Sequence, residues 1–415
     1  MQTIQNQCQK ALEASKLLSV IPTKAKNQAI NKMASNIIKG SAQILKANET
    51  DLQNGKKKGL TNALLDRLAL NKNRVQAISD SFLMIEKLAD PTGEIMSGWS
   101  ALNGLKVKKI RVPLGVVGII YEARPNVTAD AVGLCIKTGN SVVLRGSSSA
   151  YNTNLAISNI LKKSLQEHDI PKGSIQLLED TSRKGIETFV KMDKYLSVII
   201  PRGGAGLIQN VVKNATVPAI ETGMGNCHIY VDKEANLSKA IEIIINAKTS
   251  RPSVCNACET LLIHEDIARE FLPIITKALK KEKVDIRGCK KTRVIIPQAA
   301  PATKTDWETE YLDYIIAIKI VTDLNEAIDH IDKYGTRHSE AILSENITTI
   351  NEFSAKVDAA AIVINTSTRF IDGGEFGFGA EIGISTQKLH ARGPMGLPEL
   401  TTYKYIVEGQ GQVRN

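Results

Sequence analysis

The chain has 415 residues, a formal net charge of +10 at pH 7 and 43% hydrophobic residues, which suffices for two or three domains with hydrophobic cores. No run of about eighteen apolar residues could span a membrane. The start of the chain lacks a signal-peptide pattern and six cysteines have no framework spacing, so we expect a cytoplasmic protein in a reducing compartment.

The positive charge is spread along the chain rather than gathered into one basic segment. Aromatic residues make up only 4% of the sequence, too few for the stacking platforms that bind single-stranded nucleic acid. The charge therefore favours small anionic metabolites as ligands, and a basic RNA-binding protein is the non-enzymatic alternative.

The first ninety residues have a helical pattern, with apolar residues at helical spacing from Ile30 to Ile38, Thr23 as a cap and Gly40 as a stop. A short charged strand at 106–112 follows, typical of a sheet edge. Strands then alternate with helices. The predicted strands are 115–120, 141–145, 174–178, 196–200 and 217–221, and the predicted helices are 129–137, 153–166, 182–191 and one beginning at 203–206.

A second alternating series occupies the rest of the chain. Its predicted strands are 260–264, 293–296, 314–321, 340–343 and 361–364, its predicted helices are 237–247, 267–280 and 325–334, and a last strand covers 401–407. Strands joined by helices of this length predict an α/β protein with doubly wound parallel sheets. The strands at 106–112 and 401–407 have no evident partner in these series, so we expect them to form an arm against a second subunit.

Cys255 is the strongest candidate for chemistry, because it lies in a polar, proline-containing segment after an apolar helix. A thiol on such a turn can meet a substrate, and Lys248 and Arg251 would favour the nucleophilic thiolate. Cys255 and Cys258 also form a C-x-x-C pair, for which a dithiol redox site is an alternative. We predict no metal site, since no second ligand pair with zinc spacing is present.

Polar and glycine-rich segments follow several predicted strands, at the edge where open α/β sheets bind ligands. Asn126 could donate to an oxyanion, and Glu221 could act as a base. Surface or turn positions are the alternatives for both. The turn with Arg202, Gly203 and Gly204 is a candidate for phosphate binding, and Arg145, Ser147 and Ser148 are candidates for ligand binding at the same edge. A plain glycine-rich turn and a solvated serine-rich cap are the alternatives.

Several runs occur in the order typical of the aldehyde dehydrogenase superfamily, namely Pro113 to Ile120, Thr138 to Arg145, the Glu221 turn and the Cys255 loop. More narrowly, the sequence resembles the γ-glutamyl phosphate reductase family. The runs that carry this resemblance are 121–128, 251–260 and, most specifically, 373–397. The similarity extends from about Lys106 to the C-terminus, with a looser match in the helical front.

The resemblance implies reduction of L-glutamyl 5-phosphate, with Cys255 as the nucleophile and Asn126 at the oxyanion. Arg145 stands where the superfamily has a ribose-binding lysine, and Ser148 stands where it has a carboxylate. The loss of that carboxylate and the presence of a guanidinium favour NADP(H) over NAD. Glu310 falls where the superfamily places a nicotinamide-ribose ligand. Arg124, Arg251 and Arg369 are candidates for binding the substrate's phosphate or α-carboxylate. A hydrolytic aldehyde dehydrogenase, with Glu221 activating water, is the alternative enzyme.

The resemblance also implies an aldehyde-dehydrogenase-like domain organisation. Residues 1–93 and 113–223 would form the NADP-binding domain with its helical front, residues 224–390 the catalytic domain, and residues 94–112 and 395–415 a small β oligomerisation arm. We expect a homodimer or tetramer, and an association with glutamate 5-kinase is an open alternative, since the acyl phosphate must come from another protein.

Overall fold

The structure, a computed structural model, describes residues 2–414, and the backbone alone for residues 62 and 63. Its helices are α1 (Gln2–Leu18), α2 (Thr23–Lys39), α3 (Ser41–Lys57), α4 (Asn62–Leu68), α5 (Lys72–Lys87), α6 (Pro125–Lys137), α7 (Tyr151–Gln166), α8 (Arg183–Phe189), α9 (Ala205–Asn214), α10 (Leu237–Thr249), α11 (Glu265–Lys281), α12 (Lys290–Ile295), α13 (Lys304–Glu308), α14 (Leu324–Tyr334) and α15 (Ile347–Lys356).

The strands alternate with these helices over most of the chain. They are β1 (Ile95–Ser100), β2 (Lys106–Pro113), β3 (Val116–Tyr121), β4 (Ser141–Arg145), β5 (Ile175–Leu177), β6 (Val198–Arg202), β7 (Cys227–Val231), β8 (Cys258–His264), β9 (Asp285–Gly288), β10 (Ala300–Pro301), β11 (Ile315–Val321), β12 (Ser339–Leu343), β13 (Ala361–Ile364), β14 (Ile384–Ser385), β15 (Gly393–Pro394) and β16 (Thr401–Glu408).

The chain forms two compact units. The first contains residues 1–221, 377–383 and 395–415, and the second contains residues 222–376 and 384–394. The three-domain division, with its separate oligomerisation arm, stays a prediction.

The first unit contains a four-stranded parallel sheet in the order β5-β4-β3-β6. Strand β3 is fully buried along its length, as expected for a strand covered on both faces. The strand order reverses between β3 and β6. Ligands of open α/β sheets bind beside the carboxyl ends of the strands at such a point, which here are Tyr121 and Arg202.

A three-stranded antiparallel sheet, in the order β1-β2-β16, also belongs to the first unit. The two predicted strands that lacked partners therefore pair with each other, in a ladder from Thr401–Pro113 to Glu408–Lys106. Strand β1 was missed from the sequence, because its six residues are all exposed and show no apolar alternation.

The second unit is built around a seven-stranded parallel sheet in the order β10-β9-β11-β8-β7-β12-β13. Every residue of β7 and β8 is buried. The apolar side chains of β8, β11 and α11 share one core, with Leu261, Ile318 and Phe271 fully buried in it. The predicted fold class is confirmed.

Three local predictions were wrong. Residues 293–296 are not a strand: 293–295 are the end of helix α12 and Ile296 is its C-cap, and Cys289 caps the start of that helix by accepting from the backbone N–H of Thr292. Residues 217–221 form no strand and contribute a single bridge, Ile199–Ala219, because Pro218 cannot donate to a ladder. Thr23 does not cap α2 but is its first residue, and its hydroxyl donates to Asp90.

Candidate active site

Cys255 lies in the loop between α10 and β8, in the second unit, and its side chain is half-buried. The next residue, Asn256, fixes this loop: its side-chain amide donates to the carbonyl of Ile371 (2.8 Å), and its own carbonyl accepts from the hydroxyl of Thr368 (2.6 Å). The guanidinium of Arg369 donates to the Asn256 side-chain oxygen as well. The segment at 368–371 therefore holds the nucleophile loop in place.

Two of the predicted substrate-binding arginines lie on or against the nucleophile loop. Arg251 belongs to the loop itself, and Arg369 Nε donates to Ser250 Oγ (3.1 Å), at the start of that loop. Burial and the neighbouring Arg251 lower the pKa of the Arg369 guanidinium, whereas Asp372 and Cys255 raise it. Arg369 is thus within electrostatic reach of both Cys255 and Arg251. A guanidinium near a half-buried thiol suits both a thiolate and an anionic substrate.

The backbone of Gly225 lies directly against Cys255. A Cβ added at Gly225 would overlap the Cys255 carbonyl and lie 2.6 Å from its Cα, so only glycine fits there. The thiol of Cys227 donates to the same Cys255 carbonyl (3.2 Å). Segment 225–227 therefore supports the main chain of the candidate nucleophile from behind.

Glu310 hydrogen-bonds to the segment 225–227. Its Oε1 accepts from the backbone N–H of Gly225 (2.8 Å), and burial raises the pKa of its carboxyl. The predicted nicotinamide-ribose role of Glu310 stays a prediction. Its bond to Gly225 could not be predicted from the sequence, because it joins residues far apart in the chain.

The second cysteine of the C-x-x-C pair is placed differently from the first. Cys258 is the first residue of the buried strand β8, its Sγ contacts the carbonyl of Thr260 (3.4 Å), and burial raises the pKa of its thiol. A thiol kept protonated inside a sheet is a poor nucleophile. All six cysteines are free thiols, and within residues 2–414 no three His, Cys, Asp or Glu side chains are arranged to hold a metal ion.

Lys248 makes a contact that its position in the sequence did not suggest. Its ammonium lies 2.5 Å from Glu259 Oε2, with both side chains fully buried. This ion pair joins the two ends of the nucleophile loop, and the interpretation that Lys248 favours the Cys255 thiolate stays a prediction. The sequence feature that could have revealed this ion pair is a glutamate at the start of an apolar strand, directly after Cys258.

The predicted cofactor residues other than Glu310 lie in the first unit, at the carboxyl ends of β4 and β6. Arg202 ends β6, and Gly203 and Gly204 follow it at the start of α9. A Cβ added at Gly204 would meet no atom within 4 Å, so the space beside its Cα is open. Glu122 Oε2 accepts from the Gly204 N–H (3.2 Å), so an anion binding there has to displace this carboxylate.

Arg145 ends β4 and is only 7% exposed. One guanidinium nitrogen donates to the carbonyls of Thr181 (2.5 Å) and Ser182 (3.1 Å), so this arginine also holds the loop before α8. Burial lowers the pKa of Arg145 and Asp180 raises it.

The serines after Arg145 form a short turn. The Ser147 hydroxyl accepts from the Ser149 N–H (3.2 Å), and the Ser148 side chain is exposed. Glycines, hydroxyls and two arginines, Arg145 and Arg202, at this edge of the sheet suit the phosphate groups of a nicotinamide dinucleotide.

Asn126, Arg124 and Glu221 also belong to the first unit. Asn126 is in the first turn of α6, where its side-chain amide donates to Asp130 (3.1 Å), and Arg124 is exposed just before that helix. Glu221 is half-buried and is the last residue before the second unit. Their predicted roles stay predictions.

The sequence model of the Aldehyde dehydrogenase family matches residues 2–297. The chain belongs to this family. It is 58% identical over 405 residues to a gamma-glutamyl phosphate reductase of Clostridium perfringens, covering 98% of both chains. It is 56% identical over 411 residues to the enzyme of that name from Moorella thermoacetica, covering 99% of this chain and 98% of the relative.

A solved structure gives the same result. The crystal structure of gamma-glutamyl phosphate reductase from Thermotoga maritima matches with a TM-score of 0.98 at 50% identity, covering 100% of each chain. Within the aldehyde dehydrogenase family, the chain therefore belongs to the γ-glutamyl phosphate reductases. The resemblance identified from residues 121–128, 251–260 and 373–397 is confirmed.

Proposed function

We propose that the chain reduces L-glutamyl 5-phosphate to L-glutamate 5-semialdehyde and phosphate with NADPH, through a thioester at Cys255, in proline biosynthesis from glutamate. The observation that carries the proposal is the setting of Cys255: a half-buried thiol on a fixed loop that also carries Arg251, with Arg369 within electrostatic reach of the thiol. The names of the relatives, which match almost the whole length of the chain, support the substrate.

In the first half-reaction, the Cys255 thiolate attacks the γ-carbonyl carbon. The backbone N–H of Cys255 and the Asn126 amide would donate to the developing oxyanion, and one such donor typically contributes about 3 kcal/mol to transition-state stabilisation. The C–O bond to phosphate then breaks, and phosphate leaves with one proton from solvent. Arg251 and Arg369 would bind the anionic ends of the substrate, since guanidinium groups suit both phosphate and carboxylate.

The residues for NADPH are Arg145, Ser147, Ser148, Arg202, Gly203 and Gly204, with Glu310 for the nicotinamide ribose. When bound, NADPH supplies the hydride that reduces the thioester carbon. Cys255 then leaves as thiolate when the C–S bond breaks, which releases the aldehyde. The chain must exclude water while the thioester exists, because hydrolysis to glutamate would waste the activated substrate. For this reason we expect Glu221 not to activate water.

The reverse reaction tests the proposal. Purified protein is given glutamate 5-semialdehyde and NADP+, with and without inorganic phosphate, and NADPH formation is followed by its absorbance. We expect NADPH to form continuously only when phosphate is present, because hydride transfer to NADP+ leaves a thioester that phosphate must attack before the next turnover. Equal rates without phosphate would favour a hydrolytic aldehyde dehydrogenase with Glu221 as the base.

We further propose that the chain works as a cytoplasmic homodimer or dimer of dimers. The sheet β1-β2-β16 supports this, because it exposes large apolar side chains such as Trp99, Tyr405 and Val407. A closed symmetric assembly would cover them. Within residues 2–414, the structure contains no helix that is long and apolar enough to cross a membrane.

A further inference from the structure

The ion pair between Lys248 and Glu259 brackets the nucleophile loop. Lys248 lies in the last turn of α10, just before the loop, and Glu259 is the second residue of β8, just after it. The ammonium and the carboxylate are 2.5 Å apart and neither side chain is exposed. Substrate therefore cannot touch either group, and the proposed chemistry does not use them.

A buried ion pair needs an explanation other than stability. Removing two charges from water costs several kcal/mol per ion, and apolar residues of similar size often stabilise a fold equally well. Here Lys248 also contributes a favourable electrostatic interaction to a second carboxylate, that of Glu310. The pair thus belongs to a larger polar cluster beneath the loop.

The second oxygen of Glu259 extends this cluster. Glu259 Oε1 accepts from the backbone N–H of Leu312 (3.2 Å). Leu312 has a φ of +55°, in the left-handed region that is costly for a residue with a side chain, so this bond helps to hold an unfavourable backbone conformation. Glu310, two residues earlier on the same segment, accepts in turn from the Gly225 N–H (2.8 Å).

Gly225 completes the connection, because its backbone lies against the Cys255 carbonyl, where not even a methyl group fits. The path thus runs from the ion pair through Leu312 and Glu310 to Gly225 and Cys255. Each step is a hydrogen bond or a main-chain contact within the second unit. A shift of the Glu259 carboxylate would therefore move the Gly225 backbone, against which the Cys255 main chain lies.

We propose that Glu259 is a positioning residue, which sets the main-chain position of Cys255 and thereby the reactivity of its thiol, while Lys248 helps to hold the Glu259 carboxylate. The inference rests on the proposed role of Cys255 as the nucleophile. It predicts that loss of the Glu259–Leu312 bond slows chemistry at Cys255 even when the fold is intact.

Two double variants isolate that bond. Lys248→Met with Glu259→Gln removes both charges but keeps an oxygen for the Leu312 N–H. Lys248→Met with Glu259→Leu removes the charges and the acceptor. For each, the alkylation rate of Cys255 by iodoacetamide is measured by mass spectrometry, together with kcat, KM and Tm.

We expect the Glu259→Leu double variant to lose about tenfold or more in both the alkylation rate and kcat, with KM little changed, because small misplacements of a reacting group are costly. The Glu259→Gln double variant should recover most of that loss. If the Leu variant does not fold, Glu259→Asp, which withdraws the carboxylate by one methylene, replaces it with the same expectation.

The matched control is the other buried lysine–carboxylate pair, Lys26–Asp90, at 2.5 Å in the first unit, with side chains 2% and 4% exposed. Lys26→Met with Asp90→Leu should lower Tm without changing the alkylation rate of Cys255 or kcat. The proposal is overturned if the Gln and Leu double variants behave alike, or if the site variants lower only Tm. Failure of the proposed function gives a different result: wild-type protein that is fully alkylated at Cys255 would still catalyse NADP+ reduction.

Discussion

Replacing Gly225 by alanine tests how closely the Cys255 main chain must be held. The added Cβ would lie 2.6 Å from Cys255 Cα, whereas ordinary contact begins at 3.4 Å, so these atoms must separate by about 0.8 Å (3.4 − 2.6). The overlap with the Cys255 carbonyl is larger still. Both partners are main chain, so no side-chain rotation can relieve the clash.

A displacement of about 1 Å at a reacting group can cost about 100-fold in rate, and overpacking typically costs about 1–3 kcal/mol of stability. We therefore expect Gly225→Ala to lower kcat by about 100-fold while the protein still folds. The assay is phosphate-dependent NADP+ reduction, with circular dichroism and Tm as checks on folding.

Gly223 offers a graded comparison two residues away. The three atoms nearest to a Cβ there all belong to the side chain of Thr386. Gly223→Ala should therefore be rescued by Thr386→Ala, whereas no truncation of a side chain can rescue Gly225→Ala. A folded Gly225→Ala protein with wild-type kcat would refute the reasoning, because it would show that the nucleophile tolerates movement of its support.

Four further outcomes are expected. Cys255→Ser should abolish NADP+ reduction and Cys258→Ala should keep most of it, because burial raises the pKa of the second thiol; the opposite order would reassign the nucleophile. Arg145→Gln should lower kcat/KM about tenfold or more with NADPH and little with NADH, whereas equal losses would mean that the guanidinium only holds its loop. Deletion of residues 401–415 removes the partner of β2 and should give a monomer or insoluble protein; sedimentation like that of the full-length oligomer would contradict this. Burial outweighs the pairing with Lys248 and raises the pKa of Glu259 to about 7 from 4.5, so the Lys248–Glu259 ion pair is complete only above about pH 7. Keeping the carboxylate charged in the core costs stability as pH rises from 4.5 through 7, so Tm of the wild type relative to Glu259→Gln should fall over that range, and a constant difference would contradict a pKa within it.

Much of the fold was predictable because its determinants are local. Buried strands such as β3 and β4 are apolar runs bounded by glycine and proline, and Gly40 and Gly139 end helices where expected. Strand β7 was missed because a fully buried His228 interrupts its apolar character. The burial of this histidine is compensated by Glu340, distant in sequence, whose Oε2 lies 2.9 Å from His228 Nδ1.

The candidate site was predictable only in part. Cys255 and its neighbouring arginine are evident from one short segment, and a family resemblance carries the rest of the reaction. The contacts beneath the thiol are not evident, because Glu259, Glu310 and Gly225 come from segments that only the folded sheet brings together. The same holds for Arg145, whose bonds to the carbonyls of Thr181 and Ser182 depend on how β4 and β5 are aligned.

The pairing of β2 with β16 bears on how the chain emerges from the ribosome. Strand β2 is made early, yet its partner is the last strand of the chain, at 401–408. At a synthesis rate of about 5–20 residues per second, this edge of β2 stays unpaired for roughly 15–60 s until β16 has been made. Lys106, Lys108, Lys109 and Arg111 keep that waiting edge charged, which discourages pairing with another nascent chain.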